Sequence, residues 1–192
     1  MKSPAVFIEN ACLRYKNQIL FDQLNFQLLA GKTTCLLGSS GIGKTSFLRL
    51  IAGLNTKAKA NIYACDKKSL HNRIAYITQS DYLLPWLSVL DNVLLGYRLR
   101  RTKKPLERAH TLLNQFGLRH TIKKYPSQLS GGMQQRVALA RIMLEDRPIL
   151  LMDEPFSALD TITRYQLHEL AASSLKNRTV LLITHDPLEA LR

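Results

Sequence analysis

Residues 38–46 read "GSSGIGKTS", with Gly38, Gly43, Lys44 and Thr45 in the fixed positions of G-x-x-x-x-G-K-[ST]. Gly38, Gly41 and Gly43 let the backbone curl until its N–H groups converge on phosphate oxygens. Ser39, Ser40 and Ile42 complete that cradle, and the helix start behind it adds partial positive charge. Lys44 has the reach for β- and γ-phosphates, and the Thr45 hydroxyl is a hard ligand for Mg²⁺. A second set of groups ends the apolar run "ILLMDEP" at 149–155. An apolar strand finishing in Asp153 puts a carboxylate at the C-terminal edge of a sheet, where ligands bind in such sheets. Asp153 can hold Mg²⁺ through Thr45 or a water, and Glu154 is the candidate to activate an attacking water. Gln79 after "RIAYIT" and His185 after "VLLIT" also stand at strand ends, though neither is informative alone.

"LSGGMQQR", residues 129–136, offers a second anion site. Met133, Val137, Ala140 and Leu144 fall at i, i+4, i+7 and i+11, one helical stripe. Ser130 is then the N-cap, and the amides of Ser130, Gly131 and Gly132 point off the helix start.

Positioning these groups takes a sheet and helices. Leu24, Phe26 and Leu28 alternate with Gln23, Asn25 and Gln27, which predicts a half-buried antiparallel strand. Ala30 to Lys32 reads as a turn, and "TTCLL" (33–37) as a short buried strand. Phe47, Leu50, Ile51 and Leu54 repeat at helical spacing, with Gly53 near the helix end. "ILLM" (149–152) and "VLLI" (180–183) look like buried parallel strands, with a helix at 161–176 between them. Strands alternating with helices imply a parallel α/β sheet, and the basic, mainly helical 86–145 region fits a subdomain inserted into it.

The bulk composition narrows the setting. No apolar run approaches the length of a membrane span, and Glu9 interrupts the N-terminal apolar run before it could serve as a signal-peptide core. Both point to a cytoplasmic protein. Cys12, Cys35 and Cys65 form no C-x-x-C pair, which predicts buried thiols in a reducing compartment. The net charge of +13 calls for a polyanionic neighbour, either membrane surface or nucleic acid, or else a solvated face.

Together these motifs resemble the ATP-binding subunit of an ABC transporter, and "LSGGMQQR" is similar to that family's signature sequence. The order also matches: phosphate loop at 38–45, Gln79, signature, Asp153-Glu154, "SALD" at 157–160, then His185. The resemblance implies an α/β P-loop NTPase with a RecA-like parallel core sheet and an antiparallel β part. It implies one domain over 1–192, with an ATP-binding core at 1–85 and 146–192 and the helical signature subdomain at 86–145. Tyr15 would stack on adenine. Gln79 would contact Mg²⁺ and water and report to the membrane subunit. Glu154 matches the catalytic glutamate, His185 the histidine on the γ-phosphate, and Ser46 a further phosphate contact. Asp160 closes the "SALD" loop, which crosses the dimer interface beside the nucleotide. Ser130 to Gly132 would bind the γ-phosphate held by another subunit's loop, so ATP and Mg²⁺ would join two head-to-tail chains.

The wording "LLPWLSVLDNV" resembles importers of the nitrate, sulfonate and taurine group and relatives that import thiamine-pyrimidine precursors. That resemblance implies a transmembrane permease docked near Trp86 and Leu87, a solute-binding protein, and a peripheral place on the cytoplasmic membrane face. The alternative is a non-transport ABC-type ATPase acting on nucleic acid or ribosomes. Such relatives usually carry two ATPase units or a long coiled coil, and this chain has neither, so no nucleic-acid partner is expected. Two departures stand out. The chain stops at "THDPLEALR", where relatives commonly continue, and 56–69 lacks their Ser-Gly turn. They predict a less certain β-hairpin there, a fold short at the C-terminus, and marginal or partner-dependent stability.

Overall fold

In β2 (Gln18–Leu28), Leu24, Phe26 and Leu28 turn inward while Gln23, Asn25 and Gln27 stay exposed. This is the period-two pattern of a strand with one wet face. The computed structural model describes residues 3–15, 18–39, 41–55, 57–78 and 83–190, with Tyr15 and Gln18 described by their backbone alone. Contacts divide the chain into two units. One holds Met1–Tyr76, Arg147–Glu154 and Leu175–Arg192; the other holds Ile77–Asp146 and Pro155–Ser174.

The first unit contains an antiparallel sheet in which β2 and β4 (Lys59–Ala64) flank β1 (Val6–Tyr15). The doubt over a hairpin at 56–69 resolves in another way. β4 pairs with β1, where Ile62 faces Ile8, and Ala60 and Ile62 pack on the core. The second sheet runs in the order β3 (Thr33–Leu36), β7 (Thr179–Ile183), β6 (Ile149–Asp153), β5 (Ile74–Ile77). β3, β7 and β6 are parallel neighbours. β6 and β7 are buried throughout, as continuous apolar runs should be. β3 is not the buried strand that its apolar run suggested: it lies on the edge of the described sheet and is only half-buried.

α1 (Lys44–Ile51) packs Phe47 edge-on against Phe21 and Phe26, with ring centroids 5.9 and 5.3 Å apart. Phe47 is 4% exposed, and its burial contributes about 1.5–3 kcal/mol to anchoring the helix. The helix ends when Gly53 N–H donates to Leu50 O and Leu54 N–H to Arg49 O. Leu54 therefore lies past the helix, exposed, and off the stripe on which its spacing had placed it. Thr179, fully buried, donates to Pro4 O at 2.7 Å and accepts from Gly31 N–H at 3.0 Å, tying β7 to the turn before β3.

The second unit contains α2 (Val89–Val93), α3 (Leu95–Leu99), α4 (Leu106–Gln115), α5 (Gly131–Leu144) and all but the last residue of α6 (Thr161–Leu175). α5 is more than a one-sided stripe. Val137 to Ala140 and Ile142 to Leu144 are all buried, so the helix is enclosed on most sides, and Met133 is only half-buried. Buried Asn92 donates to the carbonyls of Leu84, Leu87 and Ser88 and accepts from Leu84 N–H at 2.8 Å. That clamp fixes the loop bearing Trp86, which is 70% exposed. The expected buried thiols are not uniform either: Cys12 and Cys35 are half-buried, and Cys65 is exposed.

Candidate nucleotide site

β3 delivers the chain to the glycine loop, and Gly43 turns it into α1. Gly43 is the N-cap at φ 103° and ψ 5°, a conformation that side-chain-bearing residues rarely adopt. The Lys44 ammonium folds back onto its own loop, donating to Gly38 O at 2.6 Å and Ser39 O at 2.7 Å. Those bonds tie the start of the glycine loop to the first residue of α1. Thr45 and Ser46 are half-buried in the first turn of α1, and Gly41 and Ile42 are exposed. Ser40 and Gln79 lie outside the described residues, as does the Tyr15 side chain; the Tyr15 backbone pairs with Gln18 at the end of β1.

Asp153 ends β6 and is 2% exposed. The Thr45 hydroxyl hydrogen-bonds its carboxyl. Oδ2 is buried with no partner among the described residues. Burial pushes the carboxyl above the usual carboxylate range, while the Thr45 bond pulls the other way and nearby Glu154 adds to the rise. A bare buried carboxylate oxygen beside a hydroxyl is the donor set Mg²⁺ takes, since that ion uses few protein oxygens and completes its shell with phosphate and water. The residues present fit it.

A stability prediction arises here. A carboxyl with raised pKa contributes fully below the ordinary carboxylate range, and the contribution is lost as pH rises through the raised value. Asp153→Asn removes that loss. The nucleotide-free variant should melt higher than the parent at pH 8, because the amide carries no buried charge. The gap should close as pH falls. A variant melting lower than the parent at pH 8 would count against this reading of the site.

Glu154 follows with φ 48°, in the left-handed region. For a glutamate that costs on the order of 1–3 kcal/mol, and such outliers cluster at functional sites. Its N–H donates to Ile183 O at 2.9 Å, prolonging the β6–β7 ladder by one bond. Its Oε2 lies 3.5 Å from His185 Nδ1; the Glu154 side chain is 16% exposed and that of His185 60%. Thr184 secures the backbone beside His185. Its hydroxyl donates to the Glu189 carboxylate and accepts from Asp186 N–H. Sequence reasoning missed Glu189, though "DPLE" carried a signal: an N-cap Asp, Pro at the first helical position and Glu two residues on. Asp186 does cap α7 (Pro187–Ala190), accepting from Leu188 N–H at 2.9 Å, but Glu189 turns to Thr184 instead of the cap. Because β3, β7 and β6 are neighbours, the glycine loop, His185 and the Asp153-Glu154 pair emerge on one C-terminal sheet edge.

In the second unit every polar residue of the "SGGMQQR" stretch is used. Ser130 caps α5, its hydroxyl accepting from Met133 N–H at 3.3 Å. Gln134 donates to Pro126 O and Leu129 O, and Arg136 to Phe116 O. A Cβ on Gly132 would stand 3.4 Å from Ala158 O, so this glycine permits close approach of the "SALD" loop. Gln135, 2% exposed, accepts from Ala158 N–H at 3.0 Å and fixes the same loop. Sequence reasoning missed Gln135, because nothing in its spacing distinguishes it from a surface glutamine. Asp160 accepts from Thr163 N–H at 3.0 Å and caps α6, which holds its carboxyl below the usual range. Ser130 and Gly131 are exposed.

Residues 21–157 match the family described as ABC transporter. The chain belongs to that family. This ABC chain is 46% identical over 189 residues to an uncharacterized ABC transporter ATP-binding protein of Haemophilus influenzae, covering 97% of this chain and 78% of that protein. It is 43% identical over 180 residues to an aliphatic sulfonates import ATP-binding protein, SsuB 1, of Rhodococcus jostii, covering 93% and 71% respectively. Among solved structures it is similar to an ATP-binding cassette in a dimeric, post-hydrolysis state bound to ADP and Pi. The TM-score is 0.85 at 28% identity, over 96% of this chain and 90% of that one. The ABC protein described here is thus an ATP-binding ATPase on a P-loop α/β fold.

Proposed function

We propose that this ABC ATPase powers import of a small organic anion of the aliphatic sulfonate class. It would act as one of two cassettes paired head to tail beneath a membrane permease that a solute-binding protein supplies. The relative named for aliphatic sulfonates import supports the cargo class. No helix among the described residues is long and apolar enough to cross a membrane, which suits a peripheral subunit.

The hydrolytic reading is carried by one observation: the glycine loop, Asp153-Glu154 and His185 converge at the C-terminal ends of adjacent strands. The loop amides and Lys44 hold the β- and γ-phosphates, with Lys44 exchanging its bonds to Gly38 O and Ser39 O for phosphate oxygens. Thr45 and Asp153 would hold Mg²⁺, with Gln79 as a further contact that the family resemblance implies, and the ion would neutralise charge on the phosphate oxygens. Glu154 orients and deprotonates the attacking water, its carboxylate aimed by the left-handed backbone and by His185. His185, largely exposed, is placed to donate toward the γ-phosphate. Ser46 adds a hydroxyl to the phosphates, Tyr15 stacks on the adenine, and Ser130, Gly131 and Gly132 with Asp160 serve the nucleotide of the opposite chain.

An exposed tryptophan on a clamped loop has the features of a docking anchor. Trp86→Ala should reduce co-purification with the permease at least about tenfold, the scale of an interface aromatic hot spot. ATP binding by the isolated chain should not change. Undiminished co-purification would remove the permease from this face.

A further inference from the structure

The segment "RLRRTKKPLER" at 98–108 carries six cations and one acid, Glu107. It is a built turn, with most of its backbone fixed. Arg101 N–H donates to Arg98 O and Thr102 N–H to Tyr97 O, closing α3, and Leu106 N–H donates to Lys104 O. Arg101 sits at φ 54°, where glycine would be less strained. Tyr97 and Arg100 anchor the turn. The tyrosine hydroxyl donates to Leu144 O at 3.1 Å, and Arg100 pairs with Glu145 at 2.9 Å while lying 5.0 Å over the Tyr97 ring. Arg108 donates to Met143 O at 3.3 Å, and the other four cations face outward. Arg98, Arg101, Lys103 and Lys104 are exposed and have no acidic partner among the described residues. Two leucines bracket the turn, Leu99 at 74% exposure and Leu106 at 49%.

We propose that this turn is a docking surface for an anionic lipid bilayer. Headgroup phosphates would meet the four free cations, and Leu99 and Leu106 would enter the headgroup–acyl boundary. Charge alone would suit any polyanion, but the leucines decide between them. Exposed aliphatic side chains among cations gain from an interface with an apolar interior. Nucleic acid would reward aromatic stacking platforms instead, and the one aromatic residue here, Tyr97, is committed to Arg100 and Leu144. The proposal needs no permease and does not rest on the transporter reading.

The test is flotation of the full chain with liposomes of phosphatidylcholine alone or with about one-third phosphatidylglycerol, at low and high salt. The expected result is co-flotation with the anionic vesicles only, weakened by salt. Arg101→Glu/Lys103→Glu/Lys104→Glu should lower vesicle affinity at least about tenfold. Leu99→Ser should lower it at least about threefold. Both variants should keep parental ATP binding and melting temperature, which separates a surface effect from misfolding. Equal binding to neutral vesicles, or an undiminished Leu99→Ser variant, would overturn the proposal. So would tighter binding to duplex DNA or polyribonucleotide than to anionic vesicles at the same salt.

Discussion

Glu154→Gln is expected to cut ATP turnover by about 10²- to 10⁴-fold, the range for loss of a general base. The substitution keeps side-chain size and removes the group that accepts the water's proton. It leaves the phosphate cradle untouched, since Lys44 and the glycine loop do not depend on the Glu154 carboxylate. Binding of ATP should persist, and the nucleotide-bound dimer should accumulate because the step that releases it is blocked. Phosphate release and light scattering with ATP and Mg²⁺ read the two effects separately. Glu154→Gly gives a control for the backbone. Glycine suits φ 48° better than glutamate, so this variant should be at least as stable and equally inactive. Near-parental turnover in either variant would move the base elsewhere.

The second large effect is expected at Gly132. Valine there would press on Ala158 O, which lies 3.4 Å from even the first added carbon, and on the loop that Gln135 holds by Ala158 N–H. The start of α5 and "SALD" would shift together. Turnover should fall by about 10²-fold, as when a donor to a developing charge is misplaced. ATP affinity of the single chain should stay within about twofold, because Gly132 takes no part in the glycine loop. Equilibrium binding of a fluorescent ATP analogue beside steady-state hydrolysis makes the comparison. A parallel loss of monomer affinity would show that the signature acts on its own chain's nucleotide.

Much of this site was legible in the sequence, and what escaped notice has a common cause. Fixed-position motifs such as Gly43-Lys44-Thr45 and "ILLMDE" carry their chemistry in residue type and spacing, and the structure puts the first at the start of α1 and the second at the end of β6. Side-chain bonds over long sequence separations leave no such trace. Gln135 reaches Ala158 only because α5 returns the chain to that loop. An apolar run does not by itself fix how deeply a segment is buried. "TTCLL" has the composition of a buried strand, yet burial depends on which strand sits at the edge, and that is a property of topology. Leu54 fits a helical period, but the closure through Gly53 N–H and Leu54 N–H stops α1 before it. For α5 the spacing found one stripe where three-dimensional packing covers most of the helix. Trp86 shows the reverse: apolar composition allowed a core position, and the Asn92 clamp holds it out in solvent.

The central claim is that the ATP held by one chain's glycine loop is completed by the signature of another. Mixing two inactive variants tests it most directly. Lys44→Ala lacks a working glycine loop, and Gly132→Val lacks a working signature. A mixed dimer would join the intact loop of the second to the intact signature of the first, making one complete site and one doubly defective one. Hydrolysis by the mixture should recover to roughly a quarter of the parental rate, as random pairing of two-fold symmetric dimers gives. Activity no greater than the sum of the separate variants would contradict the claim, because each nucleotide would then be served within its own chain.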